Sequence, residues 1–187
     1  MYTLPFEIIL YSVSLSHNKE IRLCNKSLYD YYNNTKNIYI LPQSQEQYKL
    51  ISLLKYANVG ISSYCEKYDE ILKNAYALNL SYTFIKDASI FRNVHILNLA
   101  HTRLGDENIS MLGNIHTLNL SCTNVINVSM LGNVHTLNLS INNISDVSML
   151  GNVHTLNLSF TEIIDVSMLC GIHTLKLYRT KVKGSYI

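Results

Sequence analysis

Tryptophan is absent from this 187-residue chain, and only Pro5 and Pro42 interrupt its backbone. Neither proline falls after residue 75, so no missing N–H damages a strand ladder there. Charged residues make up only 15% of the chain and nearly cancel to a formal net charge of +2. That balance implies no whole-molecule attraction to nucleic acid or anionic lipid. No apolar run approaches the length of a membrane span. Cys24, Cys65, Cys122 and Cys170 form neither a C-x-x-C pair nor a regular ligand spacing. A Ser-His-Asp arrangement, a phosphate-cradling glycine loop and a paired metal motif are all missing. The expectation is therefore a non-catalytic chain with no cofactor and no metal.

What the chain does have is one phrase repeated through its second half. Residues 134–152 read VHTLNLSINNISDVSMLGN and residues 153–171 read VHTLNLSFTEIIDVSMLCG. Histidine marks the beat at His95, His116, His135, His154 and His173, with Tyr76 in the same place at the start. The spacing is 19 residues, except for one step of 21 between His95 and His116. A fixed period near 20 is the mark of a solenoid, whose units are too small to fold alone and must share a core with their neighbours.

In the unit 115–133, the apolar residues are Ile115, Leu118, Leu120, Val125, Val128 and Leu131. The alternation Leu118-x-Leu120 predicts a short strand with Thr117, Asn119 and Ser121 outward. The later three-residue spacing fits a tight helical or 3₁₀ return. Asn127, Asp146 and Asp165 precede that turn as N-caps. Gly113, Gly132 and Gly151 close it, where a left-handed residue is expected. Asn79, Asn98, Asn119, Asn138 and Asn157 fall at one position of successive strands, which predicts an amide ladder. The two extra residues of the long step belong to a loop around 105–107.

Compartment follows from the same repetition. Asn-Leu-Ser sequons recur at Asn79, Asn119, Asn138 and Asn157. Strands sit about 4.8 Å apart, which leaves no room for a glycan on each rung. The opening MYTLPFEIILYSV also lacks a basic start and an unbroken apolar core. The expectation is an intracellular, cytoplasmic protein with reduced thiols.

The phrase resembles the leucine-rich repeat, L-x-x-L-x-L-x-x-N-x-I. Thr83, Thr102, Thr123, Thr161 and Thr180 stand where the asparagine is usual, and Asn142 keeps it. The spacing is similar to the short repeats of phosphatase regulators and internalins, which run about 22 residues, so roughly three are lost here from the convex side. The resemblance covers residues 75–187 and implies an α/β solenoid, a curved right-handed array with a parallel sheet on its concave face. Six units are counted, the last incomplete. Residues 37–74 are expected to connect and cap the array, with a strand at 38–41, a helix at 44–56 and a degenerate unit at 56–74.

Residues 1–36 resemble an F-box: Leu4-Pro5-x-Glu7-Ile8-Ile9, a hydrophobic helix, then Leu23-Cys24 and an aromatic. Such a start joined to leucine-rich repeats is familiar in eukaryotes and in large DNA viruses of protists, where the cytoplasm would be the host's. The resemblance implies that Leu4, Pro5, Ile8, Ile9, Leu23 and Cys24 dock on a Skp1-like adaptor of a cullin ubiquitin ligase while the repeats hold a substrate. The alternative is a scaffold or regulatory subunit whose N-terminal helices only cap the array.

Specificity is expected where the units differ. Their eighth place reads Tyr82, His101, Cys122, Ile141, Phe160 and Arg179; their tenth includes Phe84, Arg103 and Glu162. Varied, partly aromatic side chains on a rigid frame point to a protein target on the concave face and rim, bound by a monomer. The histidine row presents parallel rather than convergent ligands, which disfavours metal and predicts acid sensitivity below about pH 6. Lys176, Tyr178, Arg179, Lys181 and Lys183 make the last unit basic, a composition that fits a solubilised array end better than a nucleic-acid patch.

Overall fold

The computed structural model describes residues 38–40, 57–60, 66, 69–73 and 75–182. The F-box-like residues 1–36, including Leu4, Pro5, Ile8, Ile9, Leu23 and Cys24, lie outside the described residues, as does the helix expected at 44–56. Eight strands form one parallel sheet in chain order. They are β1 (Ile38–Ile40), β2 (Ala57–Gly60), β3 (Ala77–Asn79), β4 (Ile96–Asn98), β5 (Thr117–Asn119), β6 (Thr136–Asn138), β7 (Thr155–Asn157) and β8 (Thr174–Lys176).

Register is the same at every repeated step. Leu78, Leu97, Leu118, Leu137, Leu156 and Leu175 pair in line across β3 to β8. Behind that line lies a continuous core in which Leu80, Leu99, Leu120, Leu139 and Leu158 are wholly buried. Each coil returns through a 3₁₀ turn, at Ser89–Phe91, Ser110–Leu112, Ser129–Leu131, Ser148–Leu150 and Ser167–Leu169. The fold is therefore a solenoid with a sheet on one side and 3₁₀ turns on the other. Helix is nearly absent from the described residues, the exception being the one-turn α1 (Asp69–Leu72).

The residues expected as N-caps hold the turn entrances from one place earlier, since the N-cap positions are Val128, Val147 and Val166. Asn127, Asp146 and Asp165 accept the N–H of Ser129, Ser148 and Ser167 at 3.1, 2.9 and 2.8 Å. Asp87 does the same for Ser89 at 2.8 Å. In the long unit the added length goes into an extra 3₁₀ turn, Asp106–Asn108. Asp106 Oδ1 reaches the next coil and accepts the N–H groups of Ile126 and Asn127 at 2.7 and 3.0 Å. The insertion thus braces a neighbour.

The glycine expectation fails, and the reason is packing. Gly113, Gly132 and Gly151 have φ of −63°, −62° and −59°, the ordinary right-handed region. A Cβ there would run into the carbonyl oxygen of Met130, Met149 or Met168 in the following coil. These glycines exist so that successive turns can approach closely. The left-handed conformation falls elsewhere, on the variable place of each unit.

Candidate functional site: the rim at the strand exits

Each strand ends after its asparagine for a local reason. The Oδ1 atoms of Asn79, Asn98, Asn119, Asn138 and Asn157 accept the backbone N–H two residues on, at 3.1 Å in every case. That Asx turn competes with the sheet ladder and bends the chain. It also corrects the expected amide ladder: the asparagines stand in register, but their carbonyl oxygens serve their own unit.

Two residues beyond the bend, Thr83, Thr102, Thr123, Thr161 and Thr180 turn inward. Each hydroxyl donates to the carbonyl of the leucine three residues back, at 2.6–3.0 Å. Threonine can stand where the repeat pattern usually has asparagine because this one bond satisfies its hydroxyl. Asn142 does more. Its Nδ2 donates to Leu120 O at 2.7 Å and Leu139 O at 3.0 Å, and its Oδ1 accepts from the Thr123 N–H at 2.9 Å, with the Thr123 hydroxyl oxygen 3.0 Å away. One buried side chain therefore ties two coils together.

Between the Asx turn and the buried threonine sits the eighth place. Tyr82, His101, Cys122, Ile141, Phe160 and Arg179 have φ of 60°, 57°, 54°, 59°, 60° and 54°. These are the left-handed values that glycine or asparagine adopts readily and that other residues pay for in sterics, by about 1–2 kcal/mol each. A β-branched residue such as Ile141 is the least suited to them. The backbone nonetheless stays stacked, because the N–H of Tyr82, His101, Cys122, Ile141 and Phe160 each reaches the neighbouring coil's carbonyl at 2.8–3.0 Å.

The side chains project from this rim. Tyr82, Phe84, His101, Arg103, Ile141, Phe160, Glu162 and Arg179 are exposed and Cys122 is half-buried. Tyr82 stacks on His101 with ring centroids 4.3 Å apart and planes 8° from parallel. At the other end Phe160 meets Tyr178 edge-on at 5.4 Å, and the Arg179 guanidinium lies 5.5 Å from both ring centroids. Glu162 pairs with Lys181. The rim thus carries an aromatic cluster at each end, with Cys122 and Ile141 between. The left-handed backbone and the part played by Tyr178 were missed from sequence, since nothing in Tyr, Cys, Ile, Phe or Arg signals positive φ and one histidine among six places is a weak sign.

The opposite rim, where the strands begin, is uniform. Tyr76, His95, His116, His135, His154 and His173 stack face to face with centroids 4.5–4.8 Å apart. The Nδ1 atoms of the last four lie 3.1–3.3 Å from the hydroxyl of the following threonine. Partial desolvation, with the charges of His173 and His135 on either side, pulls the pKa of His154 below its ordinary 6.5. No group of three or more His, Cys, Asp or Glu side chains converges as metal ligands among the described residues. Backbone and hydroxyl hydrogen bonds from Ser148 and Ser167 hold Asp146 and Asp165 below the usual carboxylate range.

Among solved structures the coil stack has close counterparts. Internalin C2 of Listeria monocytogenes superposes at a TM-score of 0.57 with 23% identity, over 75% of this chain and 67% of that one. The leucine-rich repeat domain of APL1B gives 0.57 at 12% identity, over 98% of this chain and 57% of that one. A leucine-rich repeat protein of Leptospira interrogans gives 0.53 at 21%, over 75% and 41%. The fold is that of leucine-rich repeat proteins. Identities this low show architecture alone, and the chain spans about half the length of the latter two. No protein-family model matches the sequence, and no curated protein matches it.

Proposed function

We propose that the chain is a non-catalytic protein-binding module whose target is read by the strand-exit rim. One observation carries this reading: six consecutive units hold a bulky, different, non-glycine residue in left-handed backbone. If folding alone set this position, glycine or asparagine would relieve the strain. Strain retained at one position of every unit, with the side chains turned outward, is the pattern of a recognition surface on a rigid frame. Exposed Tyr82 and Phe160 supply the aromatic anchors that dominate interface energetics. Target capture by proximity labelling, repeated with Tyr82→Ala and Phe160→Ala, tests it; partners that persist unchanged in the double variant would contradict it.

The finer reading is a substrate-recognition adaptor for a Skp1-cullin ubiquitin ligase. It rests on the F-box-like sequence at Leu4, Pro5, Ile8, Ile9, Leu23 and Cys24. Pull-down of Skp1 with Pro5→Ala and Ile8→Asp as controls checks it, and absence of association reduces the proposal to the module alone. The alternative is a scaffold or regulatory subunit whose N-terminal helices only cap the array; it is supported by sequence order alone, since residues 1–36 precede β1 in the chain. Deletion of residues 1–36 separates the two, because a cap would take stability with it. The same proposal places the protein in the cytoplasm. The sequon asparagines Asn119, Asn138 and Asn157 stand in register on neighbouring strands, about 4.8 Å apart, which supports that reading because a glycan on each rung would not fit.

A further inference from the structure

Charge is sorted between the two sides of the coil. Apart from Glu162, every carboxylate among the described residues lies on the return segments. There Asp87, Asp146 and Asp165 are held by the turns that follow them, and Asp106 by the next coil. Glu162 itself is neutralised by Lys181. The strand face and exit rim carry Arg103, Lys176 and Arg179 with no carboxylate against them in any ion pair among the described residues. Lys176 occupies the register position held by Asn157 in the preceding strand. Arg179 is laid against Phe160 and Tyr178, which leaves its planar fork pre-oriented for a carboxylate.

The spacing of these cations is informative. Arg103 follows β4 and Arg179 follows β8, four strand steps apart. At about 4.8 Å per step that is roughly 19 Å. An extended chain of about six residues covers the same distance. Cys122, Ile141 and Phe160 lie on the rim between them.

We infer that the rim binds an extended acidic segment of a partner polypeptide, with carboxylates at Arg103 and at Lys176 and Arg179, and apolar side chains resting on Ile141 and Phe160. The inference rests on the protein-binding reading and narrows it to one chemistry. Complementary charge would steer encounter and fix the direction of the segment, while the apolar middle supplies the anchor.

The test uses the full chain and fluorescein-labelled dodecamers, each with two pairs of polar residues flanking a Leu-Phe spacer. One carries Asp and Glu, one Lys, and one Asn and Gln; single-stranded DNA of matching charge is the fourth probe. The acidic peptide is expected to bind at least tenfold more tightly than the neutral one at 50 mM salt and to lose most of that advantage at 300 mM. Arg103→Glu with Arg179→Glu should weaken it at least tenfold and admit the Lys peptide. Equal binding of acidic and neutral peptides, indifference to charge reversal, no binding of any peptide, or stronger binding of the DNA each overturns the inference. The protein-binding reading is judged separately, by target capture with Tyr82→Ala and Phe160→Ala.

Discussion

The two rims of the sheet are built from the same coils and obey opposite rules. Where strands begin, one residue type recurs, and five imidazoles and a phenol stack at 4.5–4.8 Å. Where strands end, six units carry six different residues, all in a backbone conformation that none of them favours. Repetition in the first rim follows from stacking like on like. Variation in the second persists although glycine or asparagine would adopt that backbone more readily. The comparison separates invariant places, which hold the solenoid together, from a variable rim, the surface proposed to recognise the target.

That division can be broken most forcefully in the invariant core. Leu137, 1% exposed, lies in the leucine line between Leu118 and Leu156. Leu137→Ala should destabilise the array by about 2–5 kcal/mol in urea unfolding. Asn142→Ala comes next. It strips a coil-to-coil bond set and leaves the Thr123 N–H and Leu120 carbonyl without that partner, for a loss of about 1–3 kcal/mol. Asn142→Thr should lose less, because a hydroxyl can still reach the carbonyl three residues back, as the other units do.

Acid sharpens the contrast on the uniform rim. A histidine whose folded-state pKa lies below its unfolded value favours the neutral form in the fold. Its contribution is therefore complete above the ordinary value of 6.5 and is lost as pH falls through the lowered folded value. Along the row the rings contact one another, Tyr76 and the threonine hydroxyls. Melting temperature is expected to fall between pH 7.5 and 5, and to fall less in a His135→Gln, His154→Gln variant. A flat profile for the unmodified chain would remove the histidine row as a pH-sensitive element. Asp146→Asn should matter least: hydrogen bonds from Ser148 lower its pKa, so the effect specific to its ionisation fades as pH drops below about 4.

Much of the fold was legible in the sequence because burial and period coincide there. Leu118-x-Leu120 faces inward, Asn127, Asp146 and Asp165 hold the turn entrances, and the 19-residue beat sets the sheet register. Glycine was misread because the residue answers two needs, positive φ and close approach, and only the coil beyond Gly132 distinguishes them. The asparagines were misread for a similar reason. Position in register is visible from spacing, whereas the choice between a neighbour's amide and the unit's own N–H is a matter of local geometry. For the candidate site, sequence gave the variable residues and their aromatic character. It gave little sign of their strained backbone, because glycine and asparagine, the residues that advertise left-handed φ, are absent from all six places.

The most direct test replaces the strained rim with the residue its backbone prefers. In a Tyr82→Asn, Ile141→Asn, Phe160→Asn variant, relief of backbone strain offsets the modest burial lost. Melting temperature should stay within about 4 °C of the unmodified chain or rise, while capture of the target is abolished. A melting temperature lower by more than about 8 °C, or capture that survives intact, would mean that these side chains serve the fold and that the binding surface lies elsewhere.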